Sequence, residues 1–119
     1  AGGKFASTVH MPGGSANAAL MLVSAGMAAA YGPKGVRVNV VNPGQTLTER
    51  LREGMQADAR LHGITPEEAL QRATARVPLG RLAKPEEIAD VVVFLASSRA
   101  SYVTGASVVM DGAATPTVV

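Results

Sequence analysis

From Ser15 to Tyr31 the apolar positions surround the chain axis instead of striping one side of it. The run Ala18–Ala30 is broken only by Ser24 and Gly26. Ala, Leu and Met are strong helix formers, Ser15 is a good N-cap, and Gly32-Pro33 supplies a stop, so a helix is predicted over 15–31. The small residues on every side let such a helix pack closely on two faces. Ahead of it, Ala1 to Gly14 reads as an irregular, Gly-rich segment, with Met11-Pro12-Gly13-Gly14 as a turn. Val36-Arg37-Val38-Asn39-Val40-Val41 is short and β-branched and is bounded by Gly35 and Asn42-Pro43-Gly44, which predicts a strand ending in a loop.

Charges of both signs then alternate from Thr48 to Val77, and Thr65-Pro66-Glu67-Glu68 carries an N-cap, a Pro at the first helical position and a capping-box Glu. A helical excursion is predicted over 48–77. Pro85-Glu86-Glu87 opens another helix, with Ile88, Val91, Val92 and Leu95 as its apolar stripe and its end near Ser97. Ser107–Met110 is a last short strand, closed by Asp111-Gly112 and followed by a tail to Val119. Strands that are apolar throughout and alternate with helices imply an α/β fold with a parallel sheet. Two strands leave their edges open, so the sheet calls for further strands from a longer chain or another molecule. The opening Ala1-Gly2-Gly3, without an initiator Met, fits part of something longer, and residues 1–119 read as one partial domain.

Composition narrows the function classes. The 119 residues are 47% hydrophobic and 17% charged, with a formal net charge of +2, which suits a globular domain and gives no electrostatic reason for a nucleic-acid partner. The only aromatics are Phe5, Tyr31, Phe94 and Tyr102, too few for a base-stacking surface. There is no Cys, so disulfides and Cys-ligated metals are excluded, and His10 and His62 have no ligand cluster around them in sequence, so no metal site is expected. The stretch Ala18–Ala30 is shorter than the roughly 20 residues that span a bilayer, and no basic segment precedes it. No membrane association is expected, and the expected location is cytoplasmic.

Three segments together resemble the C-terminal half of the short-chain dehydrogenase/reductase family. They are Gly35–Gly44 followed by Thr48, Pro78-Leu79-Gly80-Arg81 with Pro85-Glu86-Glu87-Ile88-Ala89, and Phe94–Ser97 with Ala100–Gly105 through to Asp111-Gly112. The resemblance covers residues 13–112 and implies the C-terminal part of a doubly wound, Rossmann-type parallel sheet, with NAD or NADP as cofactor. It makes Pro43-Gly44-x-x-x-Thr48 the loop that holds the nicotinamide end, with Pro43, Gly44, Thr46 and Thr48 as cofactor-binding positions, and it makes 48–77 the substrate lid. Ligands of such sheets sit beyond the carboxyl ends of the strands, where Pro43-Gly44 falls. Gly44 lets backbone approach a flat ring, and the Thr48 hydroxyl is suited to donate to a carboxamide or phosphate oxygen.

The family places a Tyr and, one helical turn later, a Lys on the helix before this strand, the Tyr transferring the proton and the Lys lowering its pKa and binding the ribose. By this resemblance those positions are Gly13 and Asn17. No catalytic residue is therefore assigned, although Asn17 keeps the capacity to hydrogen-bond a ribose. The family's catalytic Ser falls ahead of Ala1, and neither Gly2-Gly3 nor Gly13-Gly14 follows a strand as a phosphate-binding turn does. The chain therefore carries at most one wall of a dinucleotide site.

The resemblance implies an NAD(P)-dependent oxidoreductase with a degenerate catalytic pair. Alternatives are a non-catalytic protein that keeps the fold for binding or assembly, and a lyase or isomerase using His10 as base. Family members commonly assemble as dimers or tetramers, so a homo-oligomer through 15–31 and 85–110 is expected.

Overall fold

A computed structural model describes residues 11–116 of the chain. Its elements, in order, are α1 (Met11–Tyr31), a 3₁₀ turn (Gly32–Lys34), β1 (Val40–Pro43), α2 (Glu49–His62), α3 (Pro66–Ala75), α4 (Pro85–Ala96), a second 3₁₀ turn (Ser98–Ala100) and β2 (Ser107–Met110).

α1 starts four residues earlier than its sequence predicts, so Met11–Gly14 is helix and not a turn, and Ser15 lies inside the helix instead of capping it. Pro12 explains this: in a first turn its missing N–H would have had no partner, and its fixed φ is already helical. Gly13 and Gly14 each cost about 1 kcal/mol relative to Ala, which the Ala-, Leu- and Met-rich remainder offsets. The longer helix also changes the membrane arithmetic. Among the described residues one helical stretch, Met11–Lys34, is by length and composition long and apolar enough to cross a bilayer.

β1 begins at Val40, not Val36, because a strand is defined by its partner and β2 begins only at Ser107. Gly105 N–H donates to Val38 O at 2.7 Å, Val40 N–H to Ala106 O at 2.9 Å and Gly44 N–H to Met110 O at 2.9 Å. Both residue numbers rise together, so β1 and β2 form a parallel pair. Before β1, side chains supplement the one backbone bond at Val38. Thr104 Oγ1 accepts from Val38 N–H, and Asn39 donates to Val103 O at 2.9 Å and accepts from Ala106 N–H at 3.1 Å. The Arg37 guanidinium reaches the Leu95, Ser97 and Val103 carbonyls at 2.7, 3.1 and 3.3 Å, satisfying the C-terminal end of α4 and the turn after it.

The chain forms two compact units. The first holds the described residues up to Asn42 together with Asp90–Val109. In it α1 lies along Val38, Val40 and Gly105–Ser107, with Met21, Leu22, Ser24 and Ala25 across a cavity of about 360 Å³. Ser24 and Ala28 are the buried residues of α1, whereas Leu22 is 77% exposed and Leu20, Val23 and Met27 are also open. The double burial expected of this helix is therefore not reached within the chain. On α4, Val93 is 67% exposed, beside open Val92 and Phe94.

The second unit holds Pro43–Ala89 with Met110 onward. α2 and α3 occupy the charged excursion and pack on each other, burying Ala59 and Ala69. α3 begins with the predicted capping box: Thr65 N–H donates to Glu68 Oε2 at 2.8 Å and Glu68 N–H to Thr65 Oγ1 at 3.1 Å, with Pro66 at the first helical position.

Candidate functional site

The loop that leaves the carboxyl end of β1 brings Pro43, Gly44, Thr46 and Thr48 together over six residues. Thr46 Oγ1 donates to Gly44 O at 3.2 Å and Thr48 N–H to Thr46 O at 2.8 Å, so the turn is tied to itself. Thr48 caps α2 by accepting from Leu51 N–H at 3.2 Å. Accepting this bond uses a lone pair of the hydroxyl and leaves its proton free to donate. Thr48 is exposed and Thr46 half-buried, so Thr48 is the hydroxyl of the pair that both faces solvent and keeps a free donor.

Two neighbours fasten this loop. On one side Gly44 donates to Met110 O and passes so close to Asp111 that no side chain fits at position 44. Asp111 is held in turn: Oδ1 accepts from Ala113 N–H at 3.0 Å, and Oδ2 accepts from Thr115 N–H at 3.1 Å and from the Thr115 hydroxyl. The Thr115 hydroxyl above all, and then the two N–H donors, hold the Asp111 carboxyl below its ordinary range against the opposing effect of burial. On the other side Ala83 forms a parallel bridge at Thr46, donating to Gln45 O at 3.3 Å and accepting from Leu47 N–H at 2.8 Å.

Ala83 sits in a short segment closed by an ion pair. Arg81 donates to Glu87 from both terminal nitrogens, at 2.8 and 2.6 Å, and Lys84 N–H donates to the same carboxylate at 2.8 Å. The Arg81 bonds and then the Lys84 N–H pull the Glu87 carboxyl down to about 2, and Glu87 in turn raises Arg81. Leu82, between them, is only 4% exposed.

Gly13 and Asn17 lie in the first two turns of α1, in the first unit. Their spacing puts them on one face of the helix, the relation that the Tyr–Lys chemistry needs, but with no phenol and no ammonium. His10 lies outside the described residues. His62 ends α2 beside Asp58, 3.1 Å from its carboxylate. Among the described residues no three His, Asp or Glu side chains gather into a metal-holding group. Sequence reasoning missed the roles of Arg37, Ala83 and Asp111, whose partners are mostly backbone groups that leave no mark on residue spacing.

Comparison with known proteins matches these features. A family model described as enoyl-(acyl carrier protein) reductase matches residues 2–115. The L-rhamnose 1-dehydrogenase (NAD(P)(+)) of Azotobacter vinelandii is 42% identical over 95 residues, which is 80% of this chain and 34% of that protein. Among solved structures, a short chain dehydrogenase family protein from Francisella tularensis superposes with a TM-score of 0.91 at 30% identity, over 96% of this chain and 47% of that one. The L-sorbose reductase of Gluconobacter frateurii, complexed with NADPH and L-sorbose, superposes with a TM-score of 0.82 at 33% identity, over 88% of this chain and 40% of that one. The helices and the parallel strand pair are thus part of a Rossmann-type α/β fold. The chain belongs to the short-chain dehydrogenase/reductase family. It spans between about a third and a half of the length of these relatives.

Proposed function

We propose that the protein carrying this chain is an NAD(P)-binding member of the family, of the carbonyl–alcohol oxidoreductase class, whose hydride transfer lacks the usual proton-transfer pair. The observation that carries this reading is the loop 43–48: it leaves the carboxyl end of β1, is fastened on both sides, and keeps the Thr48 hydroxyl proton free. Pro43, Gly44, Thr46 and Thr48 hold the nicotinamide end, and Asn17 hydrogen-bonds the ribose in place of the Lys ammonium. The bound cofactor supplies hydride transfer. Gly13 offers no side chain to move a proton to the substrate oxygen, and Asn17 no charge to stabilise a phenolate, so turnover is strongly suppressed. The α2–α3 excursion is the substrate lid.

A Gly13→Tyr/Asn17→Lys variant of the protein as it occurs in its source tests this: carbonyl reduction with NADH or NADPH rises by about 100-fold or more if the scaffold is otherwise competent. A variant that binds neither cofactor and stays inactive contradicts it.

The double replacement at 13 and 17 favours one second reading, a member that keeps the fold for binding or assembly. Both readings share a homo-oligomer, dimer or tetramer, through 15–31 and 85–110, supported by the open Leu20, Leu22 and Val23 of α1 and Val92, Val93 and Phe94 of α4. Both also share a soluble, cytoplasmic protein without membrane or nucleic-acid partners, a reading supported by the buried Ser24 and Ala28 of α1.

A further inference from the structure

We propose that Arg81 and Glu87 are positioning residues for the 43–48 loop, their two-bond pair closing residues 81–84 into a clip whose inner residue, Ala83, holds Gln45 and Leu47 by backbone hydrogen bonds. This rests on the reading of that loop as the nicotinamide wall. Three observations carry it. Glu87, in the first turn of α4, is reached by three donors from a single segment: both Arg81 terminal nitrogens and Lys84 N–H. That geometry fixes residues 81 and 84 against a rigid helix end, because a planar guanidinium on a carboxylate admits one orientation. Buried Leu82 fixes the segment from the inside. Ala83, between those anchors, both donates to Gln45 O and accepts from Leu47 N–H, and the next residue of the loop, Thr48, is the capping hydroxyl.

An exposed ion pair contributes little to global stability, so its place in the molecule is better explained by what it orients. The loop carries one backbone bond to the β2 side, from Gly44, and two to the clip. Loosening the clip therefore frees the Thr46–Thr48 half of the loop while leaving Gly44 in place. Leu47 N–H then exchanges with solvent by local opening and not by global unfolding.

The test compares the full-length protein with Glu87→Gln and Arg81→Lys, by residue-resolved amide hydrogen exchange and by fluorescence titration with NADH and NADPH. In Glu87→Gln the Leu47 and Ala83 amides are expected to exchange about ten-fold faster while the Val40 amide, bonded to Ala106, is unchanged. The dissociation constant of the cofactor rises about three-fold or more, and Arg81→Lys, which keeps the charge but loses the fork, gives an intermediate change in both. Unchanged exchange at Leu47 in both variants overturns the proposal, as does faster exchange with unchanged cofactor affinity, which makes the pair a local staple. A native protein that takes up neither NADH nor NADPH overturns the cofactor reading itself, and the exchange rates then still decide whether the clip holds the loop.

Discussion

Gly44 and Asp111 approach so closely that a Cβ built on Gly44 would lie 2.7 Å from Asp111 Cβ and 2.8 Å from its Cα. The end of β1 and the end of β2 are thereby pressed together at backbone distance, and the loop after β1 takes its course from that contact. Gly44→Ala forces the loop away from Asp111. We expect a destabilisation of about 1–3 kcal/mol in urea titration, typical of overpacking, together with weaker NADH or NADPH binding.

The same reasoning separates two other glycines by sign. Gly112 has φ +63°, and a Cβ there would lie 2.5 Å from Val77 Cγ1, so Gly112→Ala meets both backbone strain and a clash. A loss of about 1–3 kcal/mol is expected. Gly54, inside α2, has no heavy atom within 4 Å of a built Cβ, so Gly54→Ala is expected to stabilise by about 0.5–1 kcal/mol, from helix propensity alone. Paired urea titrations check both signs.

Arg37 binds three carbonyls at the end of α4 and beyond it. Arg37→Ala leaves the Leu95, Ser97 and Val103 oxygens without this donor and is expected to cost about 2–3 kcal/mol, as for hydrogen bonds from a charged group. Arg37→Lys keeps a charge near the helix C-terminus but cannot span all three acceptors, so its loss is smaller. Thermal denaturation of the two variants orders them.

Acid should act through two carboxylates. Glu87 is lowered from 4.5 to about 2 by Arg81 and the Lys84 N–H, and Asp111 is lowered chiefly by Thr115. The unfolded chain binds these protons more readily than the folded one, so their contribution is complete above the ordinary carboxylate range and is lost as pH falls through and below that range. The denaturation midpoint is expected to fall across that range, and less steeply in Asp111→Asn, the exposed Arg81–Glu87 pair adding little to global stability. Equal slopes for native and variant protein contradict this.

Much of this molecule was legible because its punctuation is local. Thr65-Pro66-Glu67-Glu68 announces α3, Pro85-Glu86-Glu87 announces α4, and Pro43-Gly44 marks the end of β1. The misreadings arise where one local signal has two meanings. Pro12-Gly13-Gly14 has the composition of a turn, yet a Pro in the first turn is also a helix start, and the helix prevails. Val36–Asn39 has strand composition, but Val38 N–H donates to the Thr104 hydroxyl and the Asn39 side chain donates to Val103 O and accepts from Ala106 N–H, so β1 waits for its partner at Ser107. The devices that hold the candidate site were not legible at all. Arg81 pairs with Glu87 across a helix boundary, where no helical spacing applies, and Ala83 works only through its backbone. Asp111 reads as the end of a strand, whereas its hydrogen bonds with Ala113 and Thr115 make it the wall against which Gly44 rests.

The central claim is that this family scaffold still takes a nicotinamide dinucleotide although the positions that the resemblance pairs with the Tyr and Lys carry Gly13 and Asn17. The most direct measurement is a fluorescence titration of NADH and NADPH into the protein as it occurs in its source. Saturable binding of at least one of them, with a dissociation constant on the order of micromolar to hundreds of micromolar, is the predicted result. No binding of either at millimolar concentration would contradict it and leave the fold to serve assembly or some other binding role.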